Sequence, residues 1–345
     1  MTNPVPFRVV KDIGVLRDHT RRTMLTSSVA LATAAFAAGS AIAQKADEYP
    51  ARPVRLVVGF APGGSNDILA RIIGERLAAE FGQPFVVENK PGAGGMLAAS
   101  SVMAADPDGL TLLVGAAGAM AIGPAVYTRM AYDTLRDFAP VSILGEFPLL
   151  LLVSADSPFR TVQDLVRWSK DNPDKANYAT ASPTFTLAAE LLKLKTGAKL
   201  TRVTYRGTND AVLAVLSGQT TATVSDPLPA LPLIRDGKLR ALAITSRERS
   251  QELPDVPTMR EAGVPDSDAL IWTGLFAPKA TPAPIVTRLE AAIGRIMKEA
   301  AVRERLRTLA TEASSGTAKE FAARIAADTD AWSQVAKAAD VKIDP

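Results

Sequence analysis

The spacing of apolar positions changes period along this chain. Val54-Arg55-Leu56-Val57-Val58 is an apolar run of strand length. From Asp67 onward Leu69, Ile73, Leu77 and Phe81 fall four apart, with Ile68 and Ile72 beside them, a stripe that predicts a helix ending at Gly82. Arg71, Glu75, Arg76 and Glu80 occupy its expected solvated side. The alternation repeats, with strands at 84–88 and 110–114, a helix at 96–105, and small-residue loops at 89–95 and 115–119. A second series begins with an apolar strand at 149–153. A capping-box pattern, Thr161-Val162-Gln163-Asp164, opens a helix. Strands follow at 177–180, 202–205, 221–224 and 240–245, with helices at 186–196 and 208–217 between them. After the Pro-rich stretch 254–265 come a strand at 270–276 and two helical patterns, 283–309 with a break near Ala300, and 317–337. Such alternation predicts mostly parallel sheets covered on both faces. It divides into one lobe at 44–146 and a second at 147–266; periodicity alone does not say where the tail packs.

The first 43 residues read differently. Arg8, Lys11, Arg17, Arg21 and Arg22 precede LTSSVALATAAFAAGSAIA, which ends in Ala41-Ile42-Ala43. A basic region, a short apolar run and an A-x-A site make a signal peptide. A membrane anchor fits less well, because Ser, Thr and Gly dilute a stretch already short for a bilayer. Thr20-Arg21-Arg22-Thr23-Met24-Leu25 resembles a twin-arginine signal, so Sec and Tat routes both stand. Either leads to the periplasm.

Removing this leader changes the charge. It holds five of the 39 Lys+Arg and two of the 36 Asp+Glu, leaving 34 of each, a formal net charge of zero. The basic pI of about 9.1 is partly a leader effect, so nothing in it points to nucleic acid. The chain has no Cys, and its one His is His19, in the leader. Ser–His–Asp and Cys–His catalysis and His-based zinc sites are thereby excluded, and no cofactor motif is present. A hydrolase or lyase would have to work through a carboxylate such as Asp67 or Asp226.

Phe60-Ala61-Pro62-Gly63-Gly64-Ser65-Asn66-Asp67 carries the most chemistry. A Gly-rich turn between a strand end and a helix start directs backbone N–H groups at one point, and the helix dipole adds about half a positive charge there. A carboxylate or phosphate suits that place. The plainer reading is a tight turn that needs Gly, with Asp67 capping the helix. Nucleotide motifs fail: neither G-x-x-x-x-G-K-[ST] nor G-x-G-x-x-G is completed.

Several longer runs carry a resemblance. They are Tyr49-Pro50-Ala51-Arg52-Pro53, Pro62-Gly63-Gly64, the run Val86-Val87-Glu88-Asn89-Lys90-Pro91-Gly92-Ala93-Gly94-Gly95, Ala105-Asp106-Pro107-Asp108-Gly109-Leu110, Asp137-Phe138-Ala139-Pro140-Val141, Gly237-Lys238-Leu239-Arg240-Ala241, Leu253-Pro254-Asp255-Val256-Pro257 and Trp272-Thr273-Gly274-Leu275-Phe276. In this order and spacing the chain resembles the Bug/TctC extracytoplasmic solute receptors of tripartite tricarboxylate transporters, from Tyr49 nearly to the end. The resemblance implies a type II periplasmic-binding-protein fold, two α/β lobes around a ligand cleft with two crossover hinges, near 146–149 and 266–271. The C-terminal residues 267–345 would complete the first lobe. It implies a small carboxylate ligand, no cofactor, and membrane transporter subunits or a sensor kinase as partners of a monomer. Three regions would line the cleft: Phe60, Ala61, Gly63, Gly64, Ser65 and Asn66; Ala117 and Gly118; and Thr180, Ser182 and Thr184 with Asp226.

The chain departs from that pattern where the ligand would sit. The stretch Thr180-Ala181-Ser182-Pro183-Thr184-Phe185-Thr186 is short, with Pro183 and Phe185 at usually flexible polar positions, and Ala116, Ala117 and Ala119 replace hydroxyls. A drier pocket suited to an aromatic or hydrophobic acid over citrate is the expectation. Asp226-Pro227 also reads as an N-cap followed by Pro. Arg206 either pairs with a ligand carboxylate or is simply solvated. Trp272 reads as core or hinge packing ahead of a cleft wall.

Overall fold

The computed structural model describes residues 49–343; the leader lies outside them. Two five-stranded sheets form the framework. The first takes the order β2-β1-β3-β10-β4, from β1 (Val54–Val58), β2 (Phe85–Asn89), β3 (Thr111–Ala116), β4 (Phe138–Pro148) and β10 (Leu270–Pro278). The second takes β7-β6-β8-β5-β9, from β5 (Leu150–Ser154), β6 (Asn177–Thr180), β7 (Thr201–Thr204), β8 (Ala222–Ser225) and β9 (Leu239–Ile244).

Neither sheet is mostly parallel. β1 runs parallel to β2 and β3, and β6 to β7 and β8, each joined by a helical crossover that brings the chain back to the same end of the sheet. β10 runs antiparallel to both β3 and β4, and β5 antiparallel to both β8 and β9. The chain leaves the first sheet through β4, enters the second through β5, and returns through β10. Each passage reverses strand direction, which local periodicity does not encode.

The helices are α1 (Ser65–Phe81), α2 (Met96–Met103), α3 (Gly123–Val126), α4 (Thr134–Asp137), α5 (Val162–Asp171), α6 (Pro183–Thr196), α7 (Thr208–Leu216), α8 (Leu231–Arg235), α9 (Ala283–Ile296), α10 (Ala300–Arg307) and α11 (Ala318–Ala338). The polar side of α1 is not left to solvent. Glu75, Arg76 and Glu80 pair with Arg305, Glu299 and Arg295 of the C-terminal helical region, while Arg71 turns back to Asp67. α5 starts with the expected capping box, Thr161 and Asp164 exchanging hydrogen bonds. α11 starts with another, Thr317 and Glu320, and lays Phe321 edge-on against Trp272 at 4.9 Å and beside Phe276 at 5.1 Å. Trp272 is fully buried, and its indole N–H donates to Asp328 at 2.7 Å. It is core.

Between the sheets the chain crosses twice, and Thr245 clips both crossings together. Its hydroxyl accepts from the Leu149 N–H at 2.7 Å and donates to the Ala269 carbonyl at 2.6 Å. Its backbone N–H donates to the Leu149 carbonyl, and its carbonyl accepts from Ala269. Thr245 is buried, so these bonds are sheltered from water.

Candidate functional site

The end of β1 is held by backbone meeting backbone. A side chain at Gly59 would place its Cβ 2.6 Å from Gly95 Cα, so only glycine lets the 92–95 turn approach this closely. Gly95 in turn lies beside the Phe60 ring and Ala119. Gly63 has φ +85°, which bends the chain back toward the start of α1.

That bend corrects the expectation for the Gly63 amide. Its N–H is not free but donates to Asp67 Oδ2 at 2.9 Å. Asp67 does not cap the first turn of its own helix. Its buried carboxylate also takes two bonds from Arg71, at 3.0 and 2.9 Å, and one from Asn89 at 2.9 Å; Asn89 further donates to the Phe60 carbonyl at 3.0 Å. Burial alone would raise the Asp67 pKa, but the bonds from Arg71, Gly63 and Asn89 outweigh it and hold the carboxyl below its ordinary range. The turn is therefore fixed from both sides. What stays open is one step further on: the N–H groups of Ser65 and Asn66, at the first two positions of α1, meet no acceptor among the described residues.

The second sheet faces this end of α1. The Ser65 hydroxyl donates to Asp226 Oδ2 at 2.6 Å, joining the start of α1 to the residue that follows β8. Asp226 caps no helix. Its other oxygen has a long contact, 3.4 Å, from the Ser225 hydroxyl, and no Arg or Lys pairs with it among the described residues. Burial pushes its pKa above the ordinary value, against the bonds from Ser65 and Ser225 that pull it down.

The other predicted regions also converge, with changes. The 115–119 segment is not a loop: β3 runs to Ala116, and a wide π-helical turn, Gly118–Ile122, continues into α3. Gly118 sits so close to Thr184 that a Cβ there would fall 2.7 Å from the Thr184 hydroxyl. The 180–186 stretch is mostly helix, α6 starting at Pro183 with Ser182 as its cap, accepting from the Phe185 N–H at 3.4 Å. Thr180 and Thr186 hydroxyls are 3.0 Å apart and both also reach the Ser182 carbonyl, so they serve that turn. Thr184 is buried, with its hydroxyl against Gly118. Arg206 is not drawn in: it is exposed and makes no ion pair among them. Ala61 and Gly63 lie exposed at the rim.

Three residues here were not anticipated. Asn89 and Arg71 hold Asp67, and Thr273 of β10 donates to Asn66 Oδ1 at 2.6 Å. Asn89 and Thr273 both stand inside runs that carried the family resemblance, the one signal that marked them. Two cavities, about 730 and 830 Å³, lie elsewhere. One is bordered by Arg160, Arg240 and Asp255, the other by Arg249, Glu252 and Arg307, and neither includes a predicted site residue. The start of α1 and the second sheet are drawn together tightly.

A sequence profile described as tripartite tricarboxylate transporter family receptor matches residues 69–341. Protein BugT of Bordetella pertussis is 34% identical over 309 residues, covering 89% of this chain and 95% of that protein. Rpa4515 of R. palustris, solved with adipate, has a TM-score of 0.82 at 34% identity, over 85% of this chain and 99% of that one. MatC from Rhodopseudomonas palustris, with bound malate, has a TM-score of 0.77 at 36% identity, over 83% and 99%.

Proposed function

Since this chain belongs to the tripartite tricarboxylate transporter receptor family, we propose that it captures a small carboxylate in the periplasm and presents it to membrane transporter subunits. The observation that carries this reading is the pair of open amides at Ser65 and Asn66, aimed by a 17-residue helix and held in place by the Asp67 cluster. An N-terminal helix amide pair with a fixed geometry binds an anion without reorganising first. Rpa4515 and MatC were solved with adipate and malate, both carboxylates, which supports the same class here. The two sheets would act as lobes, 44–146 with 267–345 against 147–266, closing on the ligand about the crossings at 146–149 and 266–271.

Residues Phe60, Gly64, Ser65, Asn66, Ala117, Gly118 and Thr184 would form the walls, with Asp226 opposite. Ala117, Ala119 and Phe185 are buried and apolar, which favours a ligand with an aromatic or hydrophobic body. No helix among the described residues is long and apolar enough to cross a membrane.

A thermal-shift screen against carboxylic acids tests this. A ligand at a hundredfold excess over Kd adds about 2.7 kcal/mol of apparent stability, a rise of several degrees. Recovery of the ligand unchanged after long incubation is expected of a receptor. Failure of every acid to shift the transition would overturn the carboxylate reading; binding of citrate with no aromatic or branched acid would overturn the hydrophobic preference.

A further inference from the structure

We propose that Asp226 determines specificity in this cleft, by accepting a hydrogen bond from a hydroxyl or ammonium group on the carbon next to the ligand carboxylate. The ligand would then be a 2-hydroxy or 2-amino acid. This rests on the carboxylate reading and refines it.

Ser65 joins two opposite preferences. Its backbone N–H, open at the first position of α1, favours an anion; its hydroxyl is bonded to Asp226 at 2.6 Å. An anion on the amides of Ser65 and Asn66 therefore lies within one residue's reach of a buried carboxylate. Two bare carboxylates at that separation repel, and the repulsion grows as closure excludes water. A donor between them removes the conflict. On the carbon adjacent to the ligand carboxylate it can stay close to the helix amides and still face Asp226.

The bonding of Asp226 shows what is missing. A carboxylate has about four acceptor positions. Asp226 is 8% exposed, yet it has one short bond from Ser65, one long contact from Ser225 and a contact from its own backbone N–H, and no cation beside it among the described residues. Asp67, equally buried on the other side of the same helix start, has four strong donors including a guanidinium. Burying a carboxylate with so few donors is unfavourable, and a ligand donor completes the set.

Calorimetry on the purified protein with two matched series tests the assignment: succinate, malate and aspartate; 3-phenylpropionate, 3-phenyllactate and phenylalanine. Within the series that binds, the donor-bearing acids should exceed the bare acid by on the order of 10- to 100-fold, the worth of a hydrogen bond to a charged group. Asp226→Asn keeps an acceptor for Ser65 and for a hydroxyl but loses the charge, so it should abolish an ammonium preference and only weaken a hydroxyl preference. Asp226→Ala should abolish both. Melting curves of the unliganded variants establish that each is folded. Equal affinity of bare and substituted acids for the unaltered protein, or a preference that survives both substitutions, overturns the role of Asp226 while leaving the carboxylate reading intact. If no acid in either series or in the wider screen binds, both fall together.

Discussion

At the scale of single residues, Asp67 sets the order at the start of α1. Its carboxylate gathers the Gly63 amide, Arg71 and Asn89, three groups from three segments. Its pKa is depressed in the folded state, so protonation opposes folding. The stabilisation is complete above the unfolded value of about 3.9 and is lost as pH falls through the lower folded value. Asp67→Asn removes the charge on which the Arg71 and Gly63 bonds depend, and should lower stability at pH 7 by about 2 kcal/mol. Below pH 4 the gap to the unaltered protein should narrow. Urea denaturation across pH 3–7 measures both; a constant difference over that range would mean that the charge is not what matters. Asp226 has the opposite sign, a raised pKa, and contributes stability that is present at low pH and lost as pH rises through its folded value. The sequence singled out the 60–67 segment but misassigned the Gly63 amide, which is bonded to Asp67. Gly63 read as an open amide because nothing local indicates that its positive φ turns the N–H onto a side chain four residues ahead. That choice depends on Asn89, from the neighbouring strand, fixing the carboxylate from the other side.

Among the elements, helix existence followed the apolar period closely, because burial of a stripe is decided within a few turns. Strand direction did not, since it depends on where the chain crosses between sheets. β4 is the clearest case: Pro140, Gly145 and Pro148 break up its 11 residues, so nothing in its local pattern reads as a strand, yet it pairs with β10 along nearly its whole length. α6 shows a smaller error. The helix expected from 186 starts three residues earlier, at Pro183, because Ser182 as cap and Pro at the first position make a helix start. The break between α9 and α10 and the start of α11 were both legible. α11 tests the worth of such a signal, because its capping box lies at the end that delivers Phe321 to Trp272. Thr317→Ala removes the acceptor for the Glu320 N–H and should lower stability by about 1 kcal/mol. Thr317→Ser should restore most of it. Urea midpoints read the difference, and equal loss in both variants would show that the methyl group, not the hydroxyl, is what α11 needs.

Viewed whole, the molecule is two mixed sheets joined over an apolar core that includes residues of both, as where Leu187 packs with Ile122, Val126 and Ala336. Ser65 and Asp226 meet at the mouth; Thr245 joins the two crossings. If the two sheets act as lobes that bend at the crossings, as proposed above, the clip has to keep the crossings in step without locking them. Thr245 holds Leu149 and Ala269 to each other through its backbone N–H and carbonyl as well as its hydroxyl, and a substitution reaches only the hydroxyl's share. Thr245→Val preserves shape but leaves the buried Leu149 N–H without its acceptor and the Ala269 carbonyl with one donor fewer. The loss should be about 1–3 kcal/mol, the penalty of an unsatisfied buried donor. Thr245→Ser keeps both bonds and should stay within about 1 kcal/mol of the unaltered protein. If the clip also aligns the sheets for closure, the Val variant will bind its carboxylate more weakly and release it faster, and the Ser variant will not. Calorimetry and stopped-flow release on the pair separate the two roles. A Val variant that is less stable but binds with unchanged affinity and release rate would restrict Thr245 to holding the fold together, and would move control of closure to the contact between Ser65 and Asp226.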